Sequence, residues 1–167
     1  MDSMKENVCD SIEEIIDVYG DMTFRVILAH MHNEADAQDV LQDVFIKIMK
    51  KRPVFENCYK EKAWILQVAM NTCKDHWKYD KLRKHEQLLD QYESYTNPSE
   101  SLEILPYVKR LPQKYRDVVY LFYYEEYSVR EIAEILNKKQ ATVLTWLNRA
   151  RKKLKEDLKG SEFDEEI

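Results

Sequence analysis

The most informative stretch of the chain is residues 128–154, which read SVREIAEILNKKQATVLTWLNRARKKL. Ser128 and Glu131 have the spacing of a capping box, in which two side chains satisfy backbone N–H groups at the start of a helix. Asn137 interrupts the apolar periodicity, and asparagine tolerates the left-handed backbone of a tight turn. The pattern therefore predicts two helices joined by a short turn, which is the helix-turn-helix arrangement.

The second helix of this motif is predicted from about Ala141 to Leu158, with one apolar and one polar face. On a wheel of 100° per residue, its apolar residues lie within about 40° of Val143; they are Leu147, Ala150 and Leu154. The polar side can meet base edges and phosphates in a major groove. We assign to this DNA-binding set Gln140, Thr142, Thr145, Trp146, Asn148, Arg149, Lys152 and Lys153. An amphipathic helix pair with a merely solvated basic face would give the same spacing, so that alternative stays open.

The composition of the chain excludes several fold classes. Its 167 residues are 44% hydrophobic and 34% charged, and they include only two glycines and four prolines. A β-rich fold or a glycine-rich phosphate loop needs more turn residues than this. No apolar run approaches the ~20 residues that span a bilayer, and no signal peptide is recognisable. We therefore expect a cytoplasmic protein without membrane insertion.

Candidate catalytic and metal-binding groups are scarce in the sequence. The three cysteines, Cys9, Cys58 and Cys73, form no CxxC pair, which argues against a disulfide framework or a zinc site. No Ser-His-Asp, HExxH or Walker pattern is present. His76 lies in a basic segment and is expected to face solvent or phosphate. We therefore expect no enzymatic activity, no cofactor and no metal.

Apolar residues recur at helical spacings along most of the chain, which predicts an all-α fold. The expected helices are residues 11–32 with a possible interruption near Gly20, a segment between Asn33 and Pro53, residues 61–84, a short helix near residues 102–108, one from Pro112 to about Glu125, and the two helices of the motif. The interval between the third and fourth of these is expected to be a linker, so the fold class is two small helical domains of which the second ends in the helix-turn-helix.

The net charge of −5 conceals a strong segregation of charge along the chain. Residues 30–46 hold four acids and no lysine or arginine, whereas residues 62–84 hold six lysines or arginines and two aspartates. Residues 86–103 hold five acids and no base, and residues 137–155 hold seven lysines or arginines and no acid. The two basic segments are candidate surfaces for a polyanion such as nucleic acid.

The acidic second helix has a predicted apolar stripe opposite a polar face. The stripe is Ala37, Val40, Leu41, Val44, Phe45, Ile48 and Met49. The polar face holds Asp36, Asp39, Gln42 and Asp43, with Ile46 among them. A branched apolar side chain on an acidic face is a candidate anchor for a protein partner. A solvated face with a single exposed isoleucine is the alternative.

The third helix combines amide and basic side chains with aromatic ones. Gln67, Asn71, Lys74, Lys78 and Lys81 share one face at spacings of three and four. Trp64, Trp77 and Tyr79 interleave with them, and exposed aromatic rings beside a basic groove suit stacking on unpaired bases. Burial of the two tryptophans in the core is the alternative.

The order of these segments resembles the bacterial RNA polymerase sigma factors of the sigma-70 family, in the extracytoplasmic-function (ECF) group. The resemblance is carried by DAQDVLQDVF at 36–45, AWILQVAMN at 63–71 with Asp75, LPQKYR at 111–116, YSVREIAEIL at 127–136, Thr142-Val and NRARKKL at 148–154. The turn departs from the family pattern, because Asn137-Lys138-Lys139 removes an apolar core residue and a good N-cap.

The resemblance implies which partners the chain has and which residues bind them. Core RNA polymerase would be bound by Asp36, Asp39, Gln42, Asp43 and Ile46. The −10 element of promoter DNA would be recognised and opened by Trp64, Asn71, Lys74, Asp75, Trp77 and Lys78. The helix-turn-helix set would recognise the −35 element as duplex, and an anti-sigma factor is a further implied partner.

The same resemblance implies the domain organisation. It consists of a polymerase- and −10-binding domain at 1–84, an acidic linker at 85–101, a helix-turn-helix domain at 102–160 and an acidic tail at 161–167. Two other functions stay open from the residues themselves. One is a helix-turn-helix regulator that acts without polymerase, and the other is a helical adaptor with no affinity for DNA.

Overall fold

The computed structural model describes residues 8–84 and 105–159, and within these ranges all regular structure is helical. The elements are α1 Ile12–His30, α2 Glu34–Lys51, α3 Cys58–Lys84, α4 Leu105–Arg110, α5 Gln113–Val119, a π-helical turn Tyr120–Tyr124, α6 Val129–Leu136 and α7 Gln140–Leu158. They divide into an N-terminal unit with α1–α3 and a C-terminal unit with α4–α7. The predicted all-α class with two helical domains is confirmed.

Two predicted segments fall outside this description. The acidic linker at 85–101 and the acidic tail at 161–167 lie outside the described residues. Within the described ranges, none of the helices combines the length and the apolar character that a membrane span requires.

The N-terminal unit is a three-helix assembly in which each helix packs against the other two. Polar side chains cap the first turns of α1 and α2. Ser11 Oγ accepts from Glu14 N–H at 3.2 Å, and Asn33 Oδ1 accepts from Asp36 N–H at 2.8 Å. The apolar part of the core comes from all three helices: Ile15, Val26, Ile27, Val40, Val44, Ile48, Ile65, Leu66 and Ala69.

Two expectations for this unit need correction. The expected interruption near Gly20 is wrong, because α1 continues through it and buries Tyr19 and Met22 on either side. A mid-helix glycine costs only about 1 kcal/mol relative to alanine, which such burial offsets. Helix α3 starts at Cys58 rather than near residue 61, because Asn57 Oδ1 accepts from Lys60 N–H at 3.0 Å and caps the additional turn.

The C-terminal unit places the helix-turn-helix against α5. Ser128 and Glu131 form the predicted capping box, and Asn137 adopts the left-handed conformation with φ 53° and ψ 51°. Helix α7 begins at Gln140 after Lys139, whose side chain makes no capping hydrogen bond. The predicted apolar face of α7 is buried along its length: Val143, Leu147, Ala150 and Leu154.

A π-helical turn follows α5 and was not expected from the sequence. Its wider winding is closed by Glu125 N–H, which donates to Tyr120 O at 3.2 Å. The rings of Tyr120 and Tyr124 stack at 5.1 Å between centroids. Such turns concentrate at functional sites, and this one presents aromatic rings to α7.

Candidate protein and nucleic-acid interfaces

The predicted polar face of α2 is displayed to solvent. Asp39, Gln42 and Asp43 are exposed, and the Ile46 side chain among them is 46% exposed. Asp36 is half-buried at the first turn, where Asn33 Nδ2 donates to its Oδ2 at 2.9 Å. Four of the five predicted polymerase-binding residues therefore point outward, while Asp36 is tied to the start of the helix.

The placement of Met49 in the buried stripe of α2 is wrong. This side chain is 66% exposed and lies one turn beyond Ile46 on the outer face. At about 100° per residue, the nine residues from Val40 to Met49 make about two and a half turns, so the helical wheel itself places Met49 on the side opposite Val40 and the core. Ile46 and Met49 thus form an apolar patch beside the acidic side chains, which sequence reasoning missed.

The polar face of α3 is exposed at the predicted positions. Asn71, Lys74 and Lys78 are exposed. Asp75 is also exposed, and its Oδ2 lies 3.6 Å from the Nζ of Lys47 on α2. Lys47 donates in addition to Thr72 Oγ1 at 3.2 Å. Lys47 therefore offsets the charge of Asp75 and leaves the surface positive, a role that the sequence of α3 alone does not reveal.

The two tryptophans of α3 are half-buried rather than freely exposed. Trp64 packs against Phe55 with 5.5 Å between ring centroids. The indole N–H of Trp77 donates to His30 O at 2.8 Å, and the edge of His32 meets the same ring at 4.5 Å. Trp77 thus has a packing role at the junction of α1, α2 and α3, and its contact with DNA stays a prediction.

The exposure of two other side chains in the C-terminal half of α3 could not be read from the sequence. Tyr79 is 62% exposed and is the more accessible aromatic ring beside Lys78. The expectation that His76 faces solvent or phosphate is wrong, since its side chain is only 21% exposed and turns toward Asp80. The i,i+4 spacing of these two residues on one helix is the signal that could have revealed the contact.

The outward face of α7 matches the predicted DNA-binding set closely. Six residues of the set are exposed: Gln140, Thr145, Asn148, Arg149, Lys152 and Lys153. Thr142 and Trp146 are half-buried at the edge of this face. Thr145 Oγ1 donates to Ala141 O at 2.9 Å. Within residues 137–155, all of which the structure describes, no acid interrupts the basic surface.

The two flanks of α7 are held by different aromatic contacts. On one flank Lys114 Nζ lies 5.8 Å from the centre of the Trp146 ring, and Lys153 Nζ lies 6.0 Å from that of Tyr115. On the other flank Arg151 Nε donates to Tyr123 Oη at 2.7 Å. Arg151 was not among the predicted site residues, and its hydrogen bond links α7 to the π turn.

Arg151 also touches the DNA-binding set directly. Its Nη1 donates to Asn148 Oδ1 at 3.4 Å, and its guanidinium lies 5.3 Å from the centre of the Phe122 ring. A guanidinium held over an aromatic ring and by two hydrogen bonds loses little further entropy on binding. Arg151 therefore connects the π turn with Asn148, one residue of the predicted DNA-binding set.

Burial shifts the pKa values of two side chains in the C-terminal unit. Burial lowers the pKa of Lys109, and the positive charge of Arg116 lowers it further. Burial also raises the pKa of Tyr127 well above its ordinary value, with smaller contributions from Glu125 and Glu131. The Tyr127 hydroxyl therefore stays protonated across the physiological range beside the capping box.

Comparison with known proteins identifies both units. The family description "Sigma-70 region 2" matches residues 15–83, and "Sigma-70, region 4" matches residues 101–154. RNA polymerase sigma factor YlaC of Bacillus subtilis (strain 168) is 30% identical over 173 residues, covering 95% of this chain and 98% of the relative. ECF RNA polymerase sigma factor SigW of the same strain is 27% identical over 174 residues and 93% of each chain.

Solved structures share the fold. The sigma factor RpoE in complex with the anti-sigma factor NepR from Bartonella quintana has a TM-score of 0.70 at 16% identity, covering 88% of this chain and 96% of that one. CnrH in complex with the cytosolic domain of CnrY has a TM-score of 0.62 at 19% identity, covering 90% of this chain and 89% of that one.

A helix-turn-helix whose second helix carries several cations and no acid up to Lys155 is typical of a DNA-binding transcription factor. The chain belongs to the sigma-70 family of RNA polymerase sigma factors, in the ECF group. It therefore binds core RNA polymerase and directs promoter-specific initiation of transcription. A regulator acting without polymerase, or a helical adaptor, is not favoured.

Proposed function

We propose that the chain performs initiation through three separate surfaces. The outer face of α2 binds core RNA polymerase, the polar face of α3 recognises and opens the −10 element, and the outward face of α7 recognises the −35 element as duplex. The observation that carries this proposal is the exposed acidic face of α2 with its apolar patch, because a regulator that needs only DNA has no use for it.

The α2 surface has the composition of a protein-binding site. Ile46 and Met49 supply an apolar centre, and Asp39, Gln42 and Asp43 surround it. Interfaces draw most of their binding free energy from a few apolar or aromatic anchors, while charged residues around them guide association and orientation. A basic surface on core polymerase is the complementary partner.

The α3 surface suits separated bases more than intact duplex. Lys74 and Lys78 supply positive charge for the backbone, and Asn71 offers both a donor and an acceptor to a base edge. Tyr79 provides an exposed ring on the same helix. Single-stranded DNA is commonly bound by this combination of cations and stacking rings.

The α7 surface suits a major groove. Thr145 and Arg149 lie near the middle of the outward face, where a recognition helix meets base edges. A guanidinium can bind guanine through two hydrogen bonds. Lys152 and Lys153 lie closer to the C-terminal end of the helix, where the phosphate backbone is the expected neighbour.

The chain itself supplies no catalysis in this proposal, because polymerase performs the synthesis. Its place of action is the cytoplasm, where bacterial polymerase and promoter DNA are found. The sigma factor RpoE, which shares its fold, is in complex with the anti-sigma factor NepR in a solved structure, and a partner of this kind is part of the proposal.

The decisive experiment is co-purification of the chain with core RNA polymerase, followed by run-off transcription from a promoter library. The expected result is a stable complex that starts transcripts at a defined subset of promoters. Binding to duplex promoter DNA without any effect on polymerase would support a conventional regulator instead. Absence of affinity for both DNA and polymerase would support a helical adaptor.

A further inference from the structure

Three potential metal ligands meet where the start of α2 approaches the C-terminal half of α3. Asp36 comes from the first turn of α2, whereas His76 and Asp80 lie one turn apart on α3. One ligand atom from each residue lies within 4.8 Å of the other two, and His76 Nε2 is 3.6 Å from Asp80 Oδ2. All three side chains are half-buried.

We propose that Asp36, His76 and Asp80 form a binding site for a divalent first-row transition-metal ion that joins α2 to α3. This site revises the expectation from sequence that the chain binds no metal. It shares Asp36 with the residues that the sequence predicts to bind polymerase, and none of its three ligands belongs to the proposed surfaces for promoter DNA.

The state of His76 is the strongest argument for a ligand at this position. Its Nε2 is shielded from solvent and forms no hydrogen bond within the described part of the chain, because its neighbour Asp80 Oδ2, at 3.6 Å, lies beyond hydrogen-bond distance. Leaving a buried polar atom unsatisfied costs about 1–3 kcal/mol, and native structures rarely tolerate it without a reason. A metal ion bound to Nε2 would satisfy this atom, and the carboxylates of Asp36 and Asp80 would balance the charge of the ion.

The surroundings hold the ligands in place. Asn33 Nδ2 donates to one carboxylate oxygen of Asp36, which is the kind of outer hydrogen bond that orients metal ligands. The hydrogen bond from Trp77 N–H to His30 O fixes the neighbouring turn of α3 against the segment that leads into α2. Both contacts reduce the reorganisation that binding requires.

The ligand set indicates the class of ion. One imidazole and two carboxylates suit zinc, manganese or cobalt, whereas magnesium prefers oxygen ligands alone. Metal–ligand distances of about 2.0–2.2 Å place tetrahedral ligand atoms roughly 3.4 Å apart. His76 Nε2 and Asp80 Oδ2 are already near that separation. Because the ligand atom of Asp36 lies within 4.8 Å of both, a movement of at most about 1.4 Å would close the site.

The test uses the full chain after treatment with a chelator. Calorimetric titration with ZnCl₂ and with MnCl₂ is expected to show saturable binding of one ion per chain, accompanied by a rise in Tm. MgCl₂ is expected to bind much more weakly. In ¹⁵N-labelled protein, the Nε2 resonance of His76 is expected to shift on addition of zinc, which identifies the bound atom directly.

Two variants report on the site independently. His76→Gln and Asp80→Asn are each expected to lower the affinity at least about tenfold and to remove the rise in Tm. The matched control is Asp21→Asn on the exposed side of α1, which removes the same charge and is expected to leave affinity unchanged. Circular dichroism checks that each variant keeps its helices.

Three results would overturn the proposal. They are absence of saturable binding, equal affinity in His76→Gln and the parent chain, and an unshifted His76 resonance at saturating zinc. Zinc binding that survives in His76→Gln and disappears when Cys9, Cys58 and Cys73 are replaced together would assign the ion to the thiols instead.

Discussion

Helices α3 and α7 are both basic, but the structure arranges their charge in different ways. On α3 the aspartates at 75 and 80 lie among the lysines, and each faces another side chain, Lys47 or His76. On α7 the outward residues up to Lys155 include no acid, and none of their cations forms an ion pair within the described chain. Helix α3 therefore presents cations interspersed with aspartates, whereas α7 presents a cluster of cations from Arg149 to Lys155 with no acid among them.

This difference shows that the net charge of a helix does not specify what it binds. Separate cations with an amide and a ring between them suit individual bases of an opened strand. A continuous basic surface suits the regular phosphates of a duplex. The N-terminal unit also carries the acidic face of α2 next to α3. In the proposed function this unit therefore serves both a protein and DNA, whereas α7 serves DNA alone.

The largest effect is expected from substitutions on the outer face of α2, the proposed polymerase-binding surface. Asp39→Arg with Ile46→Glu should abolish pull-down of core polymerase, because an anchor and a charge at an interface each contribute about 2–4 kcal/mol. Asp17→Arg with Ile16→Glu on α1 is the matched control, since both residues are exposed and the charge change is the same. Equal retention of polymerase by both double variants would contradict the assignment of α2.

A smaller effect should distinguish base contacts from phosphate contacts on α7. Arg149→Ala is expected to change the preferred −35 sequence at about 1–3 kcal/mol per affected base pair. Lys153→Ala should weaken binding to all sequences and reduce the salt slope by about one. The measurement is the affinity of holoenzyme for a promoter library at two salt concentrations. A uniform loss in both variants would mean that Arg149 does not face bases.

The contrast between the helices is sharpened by a test of α3. Asn71→Ala with Lys78→Ala should slow promoter opening about tenfold, equivalent to about 1.4 kcal/mol in the barrier, while closed-complex affinity changes less. Permanganate reactivity of unpaired thymines follows the opening. Equal losses in opening and in closed-complex affinity would show that these two residues contribute only general electrostatic attraction.

The smallest expected effect concerns Trp77. Trp77→Phe removes the donor to His30 O and should lower the free energy of unfolding by about 1 kcal/mol, measured by urea denaturation with circular dichroism. Trp64→Phe is the control, because the Trp64 indole N–H makes no hydrogen bond within the described residues. Unchanged stability together with slower promoter opening would make Trp77 a DNA-binding residue without the packing role.

Local sequence signals were sufficient for most of the helical framework. Asn33 and Ser128 cap the helices that they were expected to begin, and Asn137 forms the left-handed turn. These features depend on residues close in sequence, where capping and backbone preferences decide the outcome. The placement of the apolar face of α7 follows from the same 3.6-residue period.

Contacts between distant residues could not be predicted in this way. Trp77 bonds to a carbonyl 47 positions earlier, and Arg151 bonds to a hydroxyl 28 positions earlier. The convergence of Asp36 with His76 and Asp80 likewise depends on how α2 packs against α3. Hydrophobic periodicity does not distinguish the π turn from an α-helix, because both bury a similar stripe.

The hydrogen bond from Thr145 to Ala141 has a consequence for promoter sequence. The hydroxyl proton is used within the helix, so Thr145 offers the groove only oxygen lone pairs and a methyl group. In the proposed docking, it can accept from the amino group of adenine or cytosine, or pack against the methyl group of thymine. Guanine displays only acceptors at its major-groove edge. In that docking, a single proton retained inside the protein would disfavour guanine as the base that Thr145 contacts.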